Sequence, residues 1–332
     1  MFKSFLHSNI YQKNVVEENT RSLEKLVKNE GNNGMNGLIN YFNVDNIART
    51  KAYENFGREH PEIRWARLAG MVSRNAGWNM TDLTTVEFQT LLHRAKRQQI
   101  GWIYERANWL IFEDAYPQLI LYAKAKKDNR FSCDEFEKWH ISRFMTEEWQ
   151  RFWEERDENR LMQALIINEQ YVVQTRLLDD IVMEGFFHSF FYKLEEFAHL
   201  SHVIFPSQAG LLYGETVTTF ADPVARIKLG KRLASLLYHP DLSFSFMKFA
   251  DSTEPIGTRK EYKKARAALP LRFVYPRYRH QESIKTDWYC KQNDAKIEAL
   301  FSSVRIKPKI INELRTDAEL QILCWLKQKT TK

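Results

Sequence analysis

The sequence predicts a mainly α protein: one large multi-helix domain carrying a small β-hairpin insertion. Three observations predict it. Apolar residues recur at three- and four-residue spacing through most of the 332 residues. Helix-start and helix-stop chemistry recurs between those runs. Only the stretch around 203–220 alternates branched and aromatic residues about a glycine turn. Hydrophobic residues make up 44% of the chain and aromatics 14%, which suits a packed core better than disorder.

Residues 1–42 read as a flexible N-terminal segment, because eight of the twelve residues from Asn29 to Asn40 are Asn or Gly. Residues 43–280 read as the helical domain and 281–332 as a helical extension. Asp45-Asn46 is a helix start. The next stretch, Glu59 to Leu83, organises the rest. Pro61 suits a first turn, and no breaker except Gly70 follows before Gly77, a C′ glycine by position. On that helix Arg64, Arg67 and Arg74 fall within about 80° of one another and the remaining circumference is mostly apolar, so the helix is central. Ala69 and Gly70 let a second helix approach. Thr84 with Glu87 reads as a capping box for a helix to about Gln98, and Ser132 with Glu135 as another. Gly101–Ala115 is a strong helix that Pro117 should end. Helices follow near 133–144 and 146–156. In the apolar helix 161–178, Asn168 sits mid-stripe, where it must be hydrogen-bonded and can fix register. Residues 181–203 are the cleanest amphipathic helix. Asp222-Pro223 is an N-cap with proline at N1, and the helix it starts stops before Pro240. Short helices near 241–250, 294–302 and 309–328 close the chain.

Charge is concentrated. Between Arg259 and Arg279 stand eight basic residues against one acid, Glu261, so this segment carries the whole formal excess of +7. A local patch of this kind binds where a diffuse charge does not. Tyr262, Phe273, Tyr275 and Tyr278 are interleaved with the cations, the pattern that meets phosphates and stacks on bases. Arg259, Lys260, Lys263, Lys264 and Arg266 are the candidate anion-binding residues, and the partner they imply is nucleic acid or an anionic surface. No run approaches the roughly 18 apolar residues of a membrane span. The first residues lack the apolar core of a signal peptide. The three cysteines, Cys133, Cys290 and Cys324, have no metal spacing. A cytoplasmic location is the simplest expectation.

A second constellation is polar rather than basic. Arg74, Asn75, Asn79 and Asp82 are more than two helix caps require. With Glu113, which shares a helix face with Trp102, Arg106 and Trp109, they form a candidate ligand pocket. The alternative is that they are caps and ion pairs. A third is the stripe Glu184, His188, Glu195, His199 and His202, all within about 60° on a helical wheel. Glu196–His199 and Glu137–His140 match the Glu-x-x-His pair of metal-binding bundles, but such pairs also arise by chance and a solvated face explains the stripe. No metal site is assigned and no cofactor is named by any motif. There is no Gly-rich phosphate loop, Gly-x-Ser-x-Gly or His-Glu-x-x-His.

Several runs carry a resemblance: Asn43-x-Asp45-Asn46-Ile47-x-Arg49-Thr50-x-Ala52-Tyr53, His60-Pro61-Glu62-Ile63-x-Trp65-Ala66, Met71-Val-Ser-Arg74-Asn75, Gly77-x-Asn79-Met80-Thr81-Asp82-Leu83, Glu105-Arg106-Ala107-Asn108-Trp109-Leu110-Ile111-Phe112, Asp114-Ala-Tyr-Pro-Gln118 and Asn168-Glu169-Gln170. Over roughly residues 40–265 the chain resembles the YppC-like proteins of spore-forming Gram-positive bacteria, which carry a domain of unknown function. The resemblance implies an all-helical soluble protein and brings no activity, cofactor or catalytic residue. The leading expectation is therefore a non-enzymatic binding protein whose basic segment meets an anionic partner. The alternative is an enzyme or ligand-binding protein using the polar pocket around Arg74, Asn75, Asn79, Asp82 and Glu113.

Overall fold

The computed structural model describes residues 32–178, 202–216, 222–263, 269–278, 280, 287–289 and 294–330. The fold is mainly α with one antiparallel two-stranded hairpin among the described residues. The chain divides into two compact units, Met1–Asn43 and Val44–Lys332. The first contains helix α1 (Asn32–Phe42), where a loop is expected. Met35, Leu38, Ile39 and Phe42 stand at helical spacing, and that apolar stripe outweighs a cost of about 1 kcal/mol for each glycine.

The second unit is built on a helical hairpin. Helix α2 (Asn46–Glu59) starts at Asp45, whose carboxylate accepts the amide of Ala48 at 2.8 Å, as its cap chemistry predicts. Helix α3 (Arg64–Asp82) packs along α2, with Gly70 facing Tyr53 and Glu54. Gly77 does not end α3. The helix runs on to Asp82, and Gly77 instead makes room for the backbone of Gly257, which a Cβ at 77 would meet at 3.2 Å. The cap at Thr84 and Glu87 is not formed either: helix α4 (Val86–Leu91) has Thr85 as its cap residue and no side-chain cap bond. The Thr84 hydroxyl donates to the carbonyl of Thr81.

Helix α5 (Arg94–Asp128) is about 50 Å long by its 35 residues and passes through Pro117, where a stop is expected. Proline there removes one backbone bond, but Gln118 donates to the neighbouring carbonyl of Asp114 at 3.1 Å. Tyr116, Leu119 and Tyr122 keep the flanking turns buried in the core. Helices α6 (Cys133–Lys138), α7 (Arg143–Glu155) and α8 (Glu158–Val173) follow, and α8 ends in a π turn, Gln174–Leu178. Ser132 is the cap residue of α6 without a side-chain bond, and His140 lies past the end of that helix with φ 53°. Glu137–His140 is therefore not a pair on one helical face. Asn168 fixes register as expected. Its amide donates to Asp114 at 2.6 Å, and its carbonyl accepts from Ser142 at 3.1 Å and Trp288 at 2.8 Å.

Strands β1 (His202–Pro206) and β2 (Leu212–Thr216) pair from His202 opposite Thr216 to Pro206 opposite Leu212. Helix α9 (Pro223–Leu237) starts on the Asp222 cap, which accepts the amide of Val224 at 2.9 Å. Helix α10 (Ser243–Ser252), one turn α11 (Leu271–Val274), the short α12 (Asp294–Glu298) and α13 (Glu313–Thr330) complete the described order. Residues Glu184, His188, Glu195, Glu196 and His199 lie outside the described residues. His202 opens β1 and shares a hydrogen bond with Thr216 at 2.9 Å. Among the described residues no group of three or more His, Cys, Asp and Glu is placed to hold a metal ion, and no helix is long and apolar enough to cross a membrane.

Two glutamates with raised carboxyls, Glu54 buried and Glu169 half-buried, give a pH dependence. Burial pushes Glu169 up to about 7, against the hydrogen bonds it accepts from Gln170 and Trp65. Burial raises Glu54 to about 7 as well, opposed by Arg74. A folded carboxyl titrating near 7 and an unfolded one near 4.5 hold one more proton in the folded state between those values. Its contribution is full below about pH 4.5 and is lost as pH rises through about 7. Glu169→Gln keeps the acceptor and removes the charge. In urea unfolding at pH 8 it should be more stable than the parent by about 1–3 kcal/mol. At pH 5 the two should be nearly equal. A variant no more stable at pH 8 rules out the buried, raised carboxyl.

Candidate functional site

The polar residues of α3 are joined to the protein itself. Arg74 is 1% exposed. Its guanidinium meets Glu54 at 3.1 Å and Glu261 at 2.5 Å, donates to the carbonyls of Ala250 and Thr253, and lies over the Phe249 ring. Asn75 imitates a strand: it donates to the carbonyl of Ile204 and accepts from its amide, both at 2.8 Å, and so fastens β1 to α3. Asn79 and Asp82 accept from Arg259 at 3.0 and 2.6 Å. Glu113 is buried on α5, and its charge opposes the burial that lowers the Arg106 guanidinium. None of these five residues lines the cavity described below. Four of them clamp β1 and residues 250–261 onto α3.

The basic segment divides. Arg259 is 1% exposed and points inward to Asp82, Asn79 and Tyr262, so a patch that reaches a partner does not include it. Lys260 is exposed and Lys263 pairs with Asp317 at 2.5 Å. Lys264 and Arg266 lie outside the described residues. The later half of the segment, residues 271–278, forms a wall of a cavity of about 310 Å³.

That cavity is assembled from four places in the chain. Glu261 accepts the amides of Ile256 and Gly257 at 2.8 and 2.7 Å, and the amide of Leu271 donates to Ile256 at 3.0 Å. The clamp on α3 therefore sets where residues 271–278 begin. Leu271 packs with Ile47 of α2 and Met80 of α3, and Tyr275 and Tyr278 lie against this cluster. Gly101 of α5 lets Tyr275 come close, since a Cβ at 101 would stand 2.9 Å from its ring. Arg272 and Arg277 stand at the mouth, their side chains 44% and 64% exposed. Asp45 accepts from Arg272 at 2.7 and 3.1 Å and lies 4.0 Å from Arg277. Burial alone would raise the Asp45 carboxyl. The bonds from Arg272 and the amide of Ala48, with the charges of Arg272 and Arg49, hold it below its ordinary value.

Glu105 lies in the floor, 3% exposed. Its Oε2 accepts from Arg49 at 2.6 Å and from Asn46 at 3.4 Å. Burial would raise this carboxyl too, but Arg49 and the neighbouring His280 hold it below the usual glutamate value. His280 Nε2 is 3.7 Å from Glu105 Oε1, and its ring sits between Trp109 and Tyr278. The pocket thus offers two solvent-facing guanidiniums, two tyrosine rings and two buried carboxylates, Asp45 and Glu105. Such a mixture is an apolar recess with a few convergent polar groups, and its volume is at the small end of the range of about 300–1,000 Å³ for ligand sites.

In the sequence Arg272, Tyr275, Arg277 and Tyr278 stand out only as members of a charged run and Asp45 only as a helix cap, and nothing there marks Arg49, Glu105 or His280 as site residues. A signal was present for Glu105: it stands in register with Trp109, Phe112, Tyr116 and Leu119, at a core position of α5. Because the Tyr275 ring rests on Gly101, Gly101→Ala should displace that wall. The mutant should keep its helical circular dichroism and lose at least half the wild-type protection of Tyr275 from a water-soluble tyrosine reagent. Unchanged protection would show that Tyr275 does not rest there.

The family model described as "Protein of unknown function (DUF2515)" matches residues 41–321. The "Uncharacterized protein YppC" of Bacillus subtilis (strain 168) is 43% identical over 254 residues, covering 74% of this chain and 79% of that protein. No solved structure matches. The family model spans the hairpin of α2 and α3 and helix α5, on which the pocket is built, and the chain belongs to the DUF2515 family.

Proposed function

We propose that this protein binds a small organic anion in the pocket walled by residues 271–278, and that binding rather than chemistry is its primary role. One observation carries the reading: Arg272 and Arg277 converge with Tyr275 and Tyr278 on one partly open recess, while of the other described cations of the basic segment Arg259 is turned inward and Lys263 is paired. Among the described residues Asp45 balances one of the two guanidiniums and leaves one positive charge at the mouth. An anion entering there gains charge-assisted hydrogen bonds from a planar donor group suited to carboxylate or phosphate. The tyrosine rings supply flat apolar contact for a planar body. Extended nucleic acid is less well supported, because Arg259 is unavailable to a backbone and Lys263 is already paired. Cys133 and Cys324 carry free thiols, which favours a reducing, cytoplasmic setting.

The test is calorimetric titration of the purified protein with adenosine 5′-monophosphate and with 4-aminobenzoate, two planar acids of different span. At least one should bind saturably, and the double variant Arg272→Ala/Arg277→Ala should weaken it at least tenfold. Both arginines are largely exposed, so the variant should fold. No saturable binding of either acid at millimolar concentration, or equal affinity in the double variant, overturns the reading.

A further inference from the structure

The charges that line the pocket are unequally committed. Among the described residues they are Asp45, Glu105, Arg272 and Arg277. Glu105 is met by Arg49 at 2.6 Å, so the floor carries a matched pair. Arg272 is held in a two-pronged grip, its Nε and Nη2 donating to the two Asp45 oxygens at 2.7 and 3.1 Å. Asp45 Oδ1 also accepts the amide of Ala48, which fixes this carboxylate to the first turn of α2. Arg277 is placed differently. Its Nε lies 4.0 Å from Asp45 Oδ2, beyond hydrogen-bonding reach, and its side chain is 64% exposed. Among the described residues its guanidinium makes no hydrogen bond, so its donors face the mouth uncommitted.

We infer that Arg277 anchors the ligand's acid and that Asp45 sets the charge the pocket accepts, so that the site takes singly charged aromatic acids in preference to doubly charged ones. The inference rests on the pocket being a small-anion site, and it narrows the ligand class from anions to monoanions. One ligand charge is matched by Arg277, whose planar fork suits an acid group. A second charge would stand near the Asp45 carboxylate, which is buried and therefore weakly screened, with Arg272 already committed to it. A like charge set against the wrong ligand is a direct route to specificity.

The experiment compares phenyl sulfate with phenyl phosphate by calorimetry at pH 8. The two share a ring and a tetrahedral acid group. The sulfate carries one charge and the phosphate close to two, since the second ionisation of a phosphate ester lies at about pH 6. The wild-type protein should bind the sulfate at least three times more tightly. Asp45→Asn should shift the ratio at least tenfold toward the phosphate. Asparagine caps a helix as well as aspartate does, so this variant should fold, and circular dichroism checks it. Arg277→Ala should weaken the sulfate at least tenfold. A wild-type protein that binds the phosphate as tightly as the sulfate or more tightly, a ratio unmoved by Asp45→Asn, or full sulfate affinity in Arg277→Ala overturns this inference and leaves the anion reading standing. Should Asp45→Asn unfold, the wild-type ratio and Arg277→Ala decide. Binding of neither ester at millimolar concentration overturns both.

Discussion

Arg74→Ala should destabilise the protein by about 3–5 kcal/mol, the cost of breaking a buried ion pair from one side. Glu54 and Glu261 both lie within 3.1 Å of this one guanidinium, and all three side chains are almost fully buried. Without it two carboxylates face each other in the core, and the carbonyls of Ala250 and Thr253 lose their donor. Lysine should not rescue, since one ammonium cannot serve four acceptors lying on different sides of a planar group. Glu54→Gln in the Arg74→Ala background should recover part of the loss, because it removes one of the stranded charges. Urea unfolding of the four proteins in the cycle reads this directly. A loss below about 1 kcal/mol for Arg74→Ala would show that the pairs are solvated, as exposed pairs are.

Arg259→Ala should cost a similar amount, about 3–5 kcal/mol, by taking the ion-pair partner from Asp82 at 0% exposure and one donor from Asn79. A second consequence distinguishes this pair from Arg74. Residues 256–261 set the start of residues 271–278 through the bond between Leu271 and Ile256. Loosening Arg259 should therefore also weaken ligand binding, although Arg259 does not line the cavity. Replacing both partners by apolar residues of similar size, Arg259→Met with Asp82→Leu, should cost less than either single change, because no charge is left buried alone. If the double replacement is as harmful as the sum of the singles, the pair holds the fold by something other than its charges.

These two side chains also show where the sequence was legible. Arg74, Asn75, Asn79 and Asp82 are visible as an unusual polar stripe on an otherwise apolar helix, and the helix is central as its narrow polar arc requires. Their use is not visible. The atoms that receive them belong to Ile204, Ala250, Thr253, Arg259 and Glu261, between 129 and 187 residues away, and a stripe that binds a ligand has the same composition as one that binds its own chain. The basic run poses the same problem. Its charge can be counted, but which cations turn inward depends on Asp82, Asp317 and Asp45, the last 227 residues from Arg272. Local signals were dependable where a side chain bonds its own helix, as at Asp45 and Asp222. They failed where tertiary packing overrode a breaker, at Gly77 and Pro117. The hairpin was legible because its branched strands and Gly210 turn are local features.

The central claim is that the ligand enters between residues 271–278, the start of α2 and the middle of α5. Hydrogen–deuterium exchange of the full chain, with and without whichever of the two probe acids binds, tests it most directly. Added protection is predicted in peptides covering 44–49, 101–106 and 271–278, with little change in those covering 74–82, whose polar groups are already satisfied. Protection centred on 74–82, or none at 271–278 under saturating ligand, would contradict the account.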